Sequence, residues 1–370
     1  MDETHIQRAF FRPICNPSEI DRIFNVKTAK DHLLKLRAET IVDHMRLFRV
    51  YRNKALRNER KWALEASFND AHYRAVLKAL PPPARRVCKQ VTYGDIFTND
   101  PNGMIFPTQY GPITTISKSL RFFLKFAHLP LLKLEDAVPN HVKLNGLRIA
   151  IRVMLQTEAL DFDMDPRGIL PDKIAETIHE PIDLQMQFIA GHEFSHFVLG
   201  HLSDRNLVDD FVFRAISKKD EEYKPIRVYN RSQQNEFEAD LNAISLPDYA
   251  SEKQGELLCA ALLWFGCLEL YQFVCEILSP KNPWAYRTHP TARERYENLL
   301  TNFPTPKGFP TQNWANFPRL LERLKLFLQE DVTINPDLYE TYGSVYLDKP
   351  NTEWRGRELI DRVDYYWACG

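Results

Sequence analysis

Leu34, Ala38, Ile41, Met45 and Phe48 follow one another at spacings of four, three, four and three. That is the period of an α-helix, and it aligns the five side chains in one apolar stripe. Residues 27–80 are therefore expected to be helical, with Pro81-Pro82-Pro83 closing the run. Residues 91–118 change character: Gly, Pro, Asn and Thr become frequent, and ITTIS (113–117) reads as a short strand. SLRFFLKFAHL returns to helix from Ser119. A second long helical stretch is expected to start at Glu180-Pro181, where proline suits a first turn, and to stop at Gly200. SQQNEFEADLNAISLP (232–247) reads as a helix capped by Ser232 and stopped by Pro247. FVFRAISKKDEEYKPIRVY (211–229) reads as two short strands around a charged turn, either a flap or a plain surface hairpin. A last helix is expected at about Trp314 to Gln329.

The most apolar segment, LLCAALLWFGCLELYQFVCEIL (257–278), has the length to span a bilayer. It carries Glu269, Gln272 and Glu276, however, and each acid inside a membrane would cost about 2–3 kcal/mol. A buried helix is the expectation, with no membrane span.

Composition adds few constraints. With 44% hydrophobic and 26% charged residues and a net charge of −1, total charge implies neither nucleic acid nor an acidic membrane as partner. Between Lys27 and Arg86 there are fifteen Lys/Arg against six Asp/Glu. A solvated helical face accounts for that surplus, with an acidic partner as the alternative; no nucleic-acid motif accompanies it. The six cysteines are scattered without a CxxC pair, which points to reduced thiols and a cytoplasmic protein. The opening MDETHIQRAFFRP lacks the apolar run of a secretory signal.

The chemistry concentrates in IAGHEFSHFVLGH (189–201). On a helix His192 and His196 share one face, one turn apart, so both imidazoles reach one zinc ion. Glu193 is offset by about 100° and points to where a general base belongs. A core helix with hydrogen-bonded histidines remains the competing reading. His201, just past Gly200, is read as a helix-end residue and not a fourth ligand, because a closed four-ligand site would be inert.

A catalytic zinc site needs a third protein ligand. Leu199 and Leu202 stand where a metzincin has Gly and His, and Ala215 and Ile216 stand where a thermolysin-like spacing needs Glu. A deformylase would need a cysteine-bearing strand before the motif, whereas the GCL at 266–268 comes after it and reads as helical. Glu236 remains, with Asp209, Asp210, Glu221 and Glu222 as outsiders. Asp240 lies one turn beyond Glu236, placed to accept the free ring N–H of a ligating histidine. Glu238 is about 200° around the helix and faces elsewhere.

HEFSH followed by NEFEAD resembles the gluzincin peptidases, whose signature is HExxH plus ExxxD. The ExEAD form at 236–240, forty residues after His196, is similar to the CAAX-prenyl-protease/HtpX group. RTHPTARERYENL (287–299) resembles that group's downstream His-Pro segment, and the resemblance implies that His289 contacts the substrate or its oxyanion. Read directly, Pro290 with Thr288 and His289 before it makes a helix start. ITTIS and the helix after it resemble the edge strand and helix that precede the zinc helix in that group. The chain departs from the group in lacking transmembrane helices around the motif, and residues 130–180 and 203–231 look like insertions. A soluble phage-exclusion peptidase of the Lit type is a neighbouring resemblance.

The expected fold is α+β, mainly α. It comprises a basic N-terminal helical module (1–90), a zincin-like domain with a small edge sheet on the HExxH helix (91–302), and C-terminal loops and helix (303–370). The expected function is a soluble zinc endopeptidase with one Zn²⁺ per chain. Its ligands are His192, His196 and Glu236; Glu193 is general base, Asp240 orients a ligand and His289 stabilises the oxyanion. A protein or peptide is the substrate, and a conditionally activated effector with an activating partner is one version. The alternative is a catalytically silent binding protein that engages an acidic partner through the basic helices.

Overall fold

The first helices begin where the sequence supplies caps. A computed structural model of the protein describes residues 3–58, 60–98, 102–134, 138–201, 207–210, 226–229, 233–279, 290–304 and 314–356. Helix α1 (Glu3–Phe11) leads to α2 (Pro17–Phe24) and α3 (Ala29–Val42), which open with reciprocal capping boxes at Asn16/Glu19 and Thr28/Asp31. Helix α4 (Met45–Arg57) follows, then α5 (Ala71–Ala79) and α6 (Pro82–Cys88). The predicted stripe breaks between α3 and α4. His44 Nδ1 caps α4 by accepting the Leu47 N–H at 3.3 Å. The new helix starts on its own axis, so Leu34, Ala38 and Ile41 are buried while Met45 is 75% exposed.

Strands β1 (Thr92–Tyr93), β2 (Gly103–Phe106) and β3 (Ile113–Ile116) form a mixed sheet in the order β1-β3-β2. β1 runs parallel to β3 and β2 antiparallel to it, with Ile105 opposite Thr114. The ITTIS segment, expected at an edge, is thus the central strand. β1 pairs with it through two residues and β2 through four, so β1 and β2 are the two edge strands.

Helices α7 (Ser119–Leu131) and α8 (Asn140–Leu155) pack as a pair ahead of α9 (Asp172–Val198). α9 begins at Asp172 after Pro171, not at Glu180-Pro181, and Pro181 lies inside it. A proline there forgoes one backbone hydrogen bond, a local loss that the surrounding packing outweighs. Helices α5, α6 and α7 and strands β2 and β3 all pack on α9. α10 (Gln233–Ser245) and α11 (Ser251–Leu278) do so as well, which explains why almost every side chain from Leu184 to His196 is buried.

α11 is the one helix among the described residues long and apolar enough to cross a membrane, and most of it is buried within the protein. Two of its polar residues have partners: Lys325 Nζ donates to Glu269 at 2.5 Å, and Gln272 accepts the Ala292 N–H at 3.1 Å. Helix α12 (Ala292–Asn302) starts at a capping box between Thr291 and Glu294. That displaces the expected Thr288/His289 cap, whose residues lie outside those described. After one 3-10 turn (Trp314–Asn316), α13 (Phe317–Ile334) and α14 (Pro336–Glu340) complete the helices among the described residues.

β4 (Leu207–Asp210) and β5 (Ile226–Tyr229) pair antiparallel, with Leu207 opposite Tyr229. The first strand of the expected hairpin therefore precedes residue 211, and residues 211–225 lie outside those described. One apolar cluster includes Ile14, Tyr51, Ile105, Phe188, Trp264 and Leu328. The protein is mainly α-helical with a small mixed sheet. Five of its cysteines, Cys15, Cys88, Cys259, Cys267 and Cys275, are free thiols.

Candidate metal centre

His192 and His196 stack on consecutive turns of α9, and their Nε2 atoms stand 3.0 Å apart. α10 crosses the same face of α9. It brings Glu236 Oε2 to 3.5 Å from His192 Nε2 and Glu236 Oε1 to 3.3 Å from His196 Nε2. Donors about 2.0–2.1 Å from a tetrahedral ion lie about 3.3 Å from one another. The three separations match that figure, and all three ligand atoms fall within 4.8 Å of one another. Two imidazole nitrogens and one carboxylate oxygen are also the donor set of an open zinc site.

Glu193 sits beside this group, with Oε1 4.0 Å from His192 Nε2. The edge strand makes room for it. A β-carbon added at Gly103 would stand 2.9 Å from Glu193 Cγ, so the bare backbone of β2 is what the close approach requires.

His192 is anchored from behind. Its Nδ1 lies 2.8 Å from Asp240 Oδ1, and a carboxylate only accepts, so the ring donates there and turns Nε2 towards Glu236. Asp240 in turn receives two bonds from Arg295, Nε to Oδ2 at 2.8 Å and Nη2 to Oδ1 at 2.6 Å. Arg295 Nη1 also lies 3.6 Å from Glu236 Oε2, and the guanidinium rests 4.7 Å from the centre of the Phe265 ring. Burial lowers the His192 pKa, but Asp240 and Glu236 outweigh it and push it up to about 9. Carboxylates that favour a proton on His192 equally favour a metal cation beside it.

Charge makes the same point. Glu193, Glu236 and Asp240 are 0% exposed, and Arg295 is 4% exposed. Three acidic side chains thus face one guanidinium away from water, an imbalance that a cation bound there would offset.

The structure brings together His192, Glu193, His196, Glu236 and Asp240. His289 lies outside the described residues. Glu238 points away from the metal-facing group, as its helical phase requires, and reaches His201 instead. Asp209 and Asp210 fall on β4, and Glu221 and Glu222 lie outside the described residues. Sequence reasoning missed Arg295. The signal was present: Ala292, Tyr296 and Leu299 form the buried stripe of α12, and Arg295 stands on that stripe. A charged residue at a core position announces a buried partner. No protein-family model, curated protein or solved structure matches this chain.

Proposed function

We propose that the protein is a zinc-dependent endopeptidase of gluzincin type. The observation that carries this reading is the convergence of His192 Nε2, His196 Nε2 and the Glu236 carboxylate with a second acid, Glu193, beside them. A purely structural cluster has no need of that second acid. The ordered pair HEFSH and NEFEAD, on two helices that cross at the site, supports the gluzincin resemblance.

A zinc ion held by His192, His196 and Glu236 would supply the Lewis acidity that activates water and polarises a carbonyl. Glu193 then takes a proton from the attacking water and delivers it to the departing amine. Asp240 and Arg295 keep His192 in one tautomer and one orientation. A base with a Lewis acid held beside it would suit amide hydrolysis, and a main-chain peptide bond is the target this reading assigns.

The test is metal content of the native protein purified without chelators, measured beside Glu236→Ala. The expected result is one zinc per chain, lost or weakened in the variant, with zinc-dependent cleavage of an internally quenched peptide library. Zinc-free native protein would overturn the reading.

A further inference from the structure

We propose that His201 and Glu238 form a second orienting arm of the metal centre, fixing His196 as Asp240 and Arg295 fix His192; this rests on the metal-centre reading above. His196 Nε2 faces Glu236, so in a ligating, neutral imidazole the proton resides on Nδ1. That Nδ1 lies 3.0 Å from His201 Nδ1. Only one of the two nitrogens can carry a hydrogen there. His196 therefore donates, His201 accepts, and the proton of His201 is left on Nε2. That atom lies 3.3 Å from Glu238 Oε2, and the other oxygen, Oε1, accepts from Gln234 Nε2 at 2.8 Å. Every hydrogen in the chain from His196 to Glu238 is thereby assigned.

The backbone builds this contact. α9 ends at Val198, and Gly200 adopts φ +71°, the left-handed conformation that turns the chain back on its own helix. His201 N–H donates to the His196 carbonyl at 3.0 Å, which places the side chain of residue 201 over the outer edge of the ligand ring. The two arms differ in kind. Asp240 is a buried carboxylate held by a buried guanidinium. The His201 side chain is 10% exposed, and Glu238, at 45%, opens to solvent. The larger share of the orienting effect belongs to His201, with Glu238 acting only through it.

A competing role for His201 is favourable interaction with the C-terminal dipole of α9. Substitutions separate the two. His201→Gln supplies an amide oxygen that can accept from His196 Nδ1–H, whereas His201→Lys keeps a cation but offers only donors. Orientation predicts that Gln retains function and Lys loses it; a dipole role predicts the reverse.

Zinc affinity is read by chelator competition, and ligand geometry by the visible absorption of the cobalt-substituted protein. His201→Leu and His201→Lys are expected to weaken zinc by about 10- to 100-fold and to shift the cobalt bands. His201→Gln should restore most of both. Glu238→Ala should weaken zinc by a smaller factor, and not further in the His201→Gln background. A wild type that binds zinc while His201→Leu matches it, or a Lys variant that outperforms Gln, would overturn this role alone. A wild type without zinc would overturn the metal centre and this arm with it.

Discussion

Gly103 on the edge strand faces Glu193 on the long helix so closely that a β-carbon at 103 would stand 2.9 Å from both Glu193 Cγ and Ile189 Cγ2. The backbone of Gly103 is in ordinary extended conformation, so the constraint is space. Gly103→Val is expected to push the Glu193 carboxylate aside without touching His192, His196 or Glu236. Misplacing a catalytic group by about 1 Å lowers turnover on the order of 10²-fold. Zinc content by mass spectrometry should remain at the wild-type value while kcat falls. A variant with normal kcat would show that Glu193 is not held by this contact.

Glu193→Gln removes the basic oxygen and preserves the shape. With Glu193 as proton carrier, peptide cleavage should drop by about 10²- to 10⁴-fold while zinc content and the unfolding midpoint stay close to wild type. Parallel loss of zinc would instead make Glu193 a ligand.

Arg295 and Asp240 form a doubly hydrogen-bonded pair beside His192 and Glu236, and neither is more than 4% exposed. Arg295→Met strands the Asp240 charge, and stranding one partner of a buried pair costs about 3–5 kcal/mol. Arg295→Lys is not expected to rescue it, because an ammonium cannot reproduce the planar two-bond geometry. In a double-mutant cycle, adding Asp240→Asn to Arg295→Met should cost much less than it does in the wild-type background. Urea unfolding of the four proteins measures the coupling; additive effects would mean that the pair contributes no net stability.

The parts of the centre legible in the sequence are those fixed by local geometry. His192 and His196 at four residues apart, and Glu236 with Asp240 at four, share helix faces wherever the helices go. The stop at Gly200 follows from backbone sterics alone. What was misread depends on neighbours. Pro181 resembles a helix start until packing on several sides is known to carry a helix through it. Met45 continues a stripe on paper, but His44 caps a new helix and turns Met45 outward. ITTIS is recognisable as a strand, yet its central place follows from pairing with Thr92–Tyr93 and Gly103–Phe106, which are distant in sequence. Arg295 is 55 residues from Asp240, and only the approach of α12 to the site couples them.

His128 makes stability depend on pH at a place remote from metal chemistry. The ring is 0% exposed on α7, with Nδ1 3.4 Å from the Ile178 carbonyl and Nε2 3.1 Å from Gln185 Nε2. The first contact needs a hydrogen on Nδ1 and the second a lone pair on Nε2, so the neutral ring fits and the cation does not. Burial pushes its pKa down to about 3 from the ordinary 6.5, and the positive charge of a protonated His179 pushes the same way. Above pH 6.5 the ring is neutral in both folded and unfolded chains, and the group adds no pH dependence. As pH falls from 6.5 towards 3, the unfolded chain binds a proton that the folded chain refuses. Stability therefore falls by up to about 1.4 kcal/mol per pH unit across that window. His128→Gln cannot titrate, so the stability lead of wild type over the variant at pH 7 should shrink by about 3 kcal/mol at pH 4. Urea midpoints of both proteins at the two pH values give the comparison, in which background carboxylate titration cancels. A lead that stays constant would mean that His128 takes up its proton as readily in the folded protein as in the unfolded chain, with the Gln185 amide turned to accept from it.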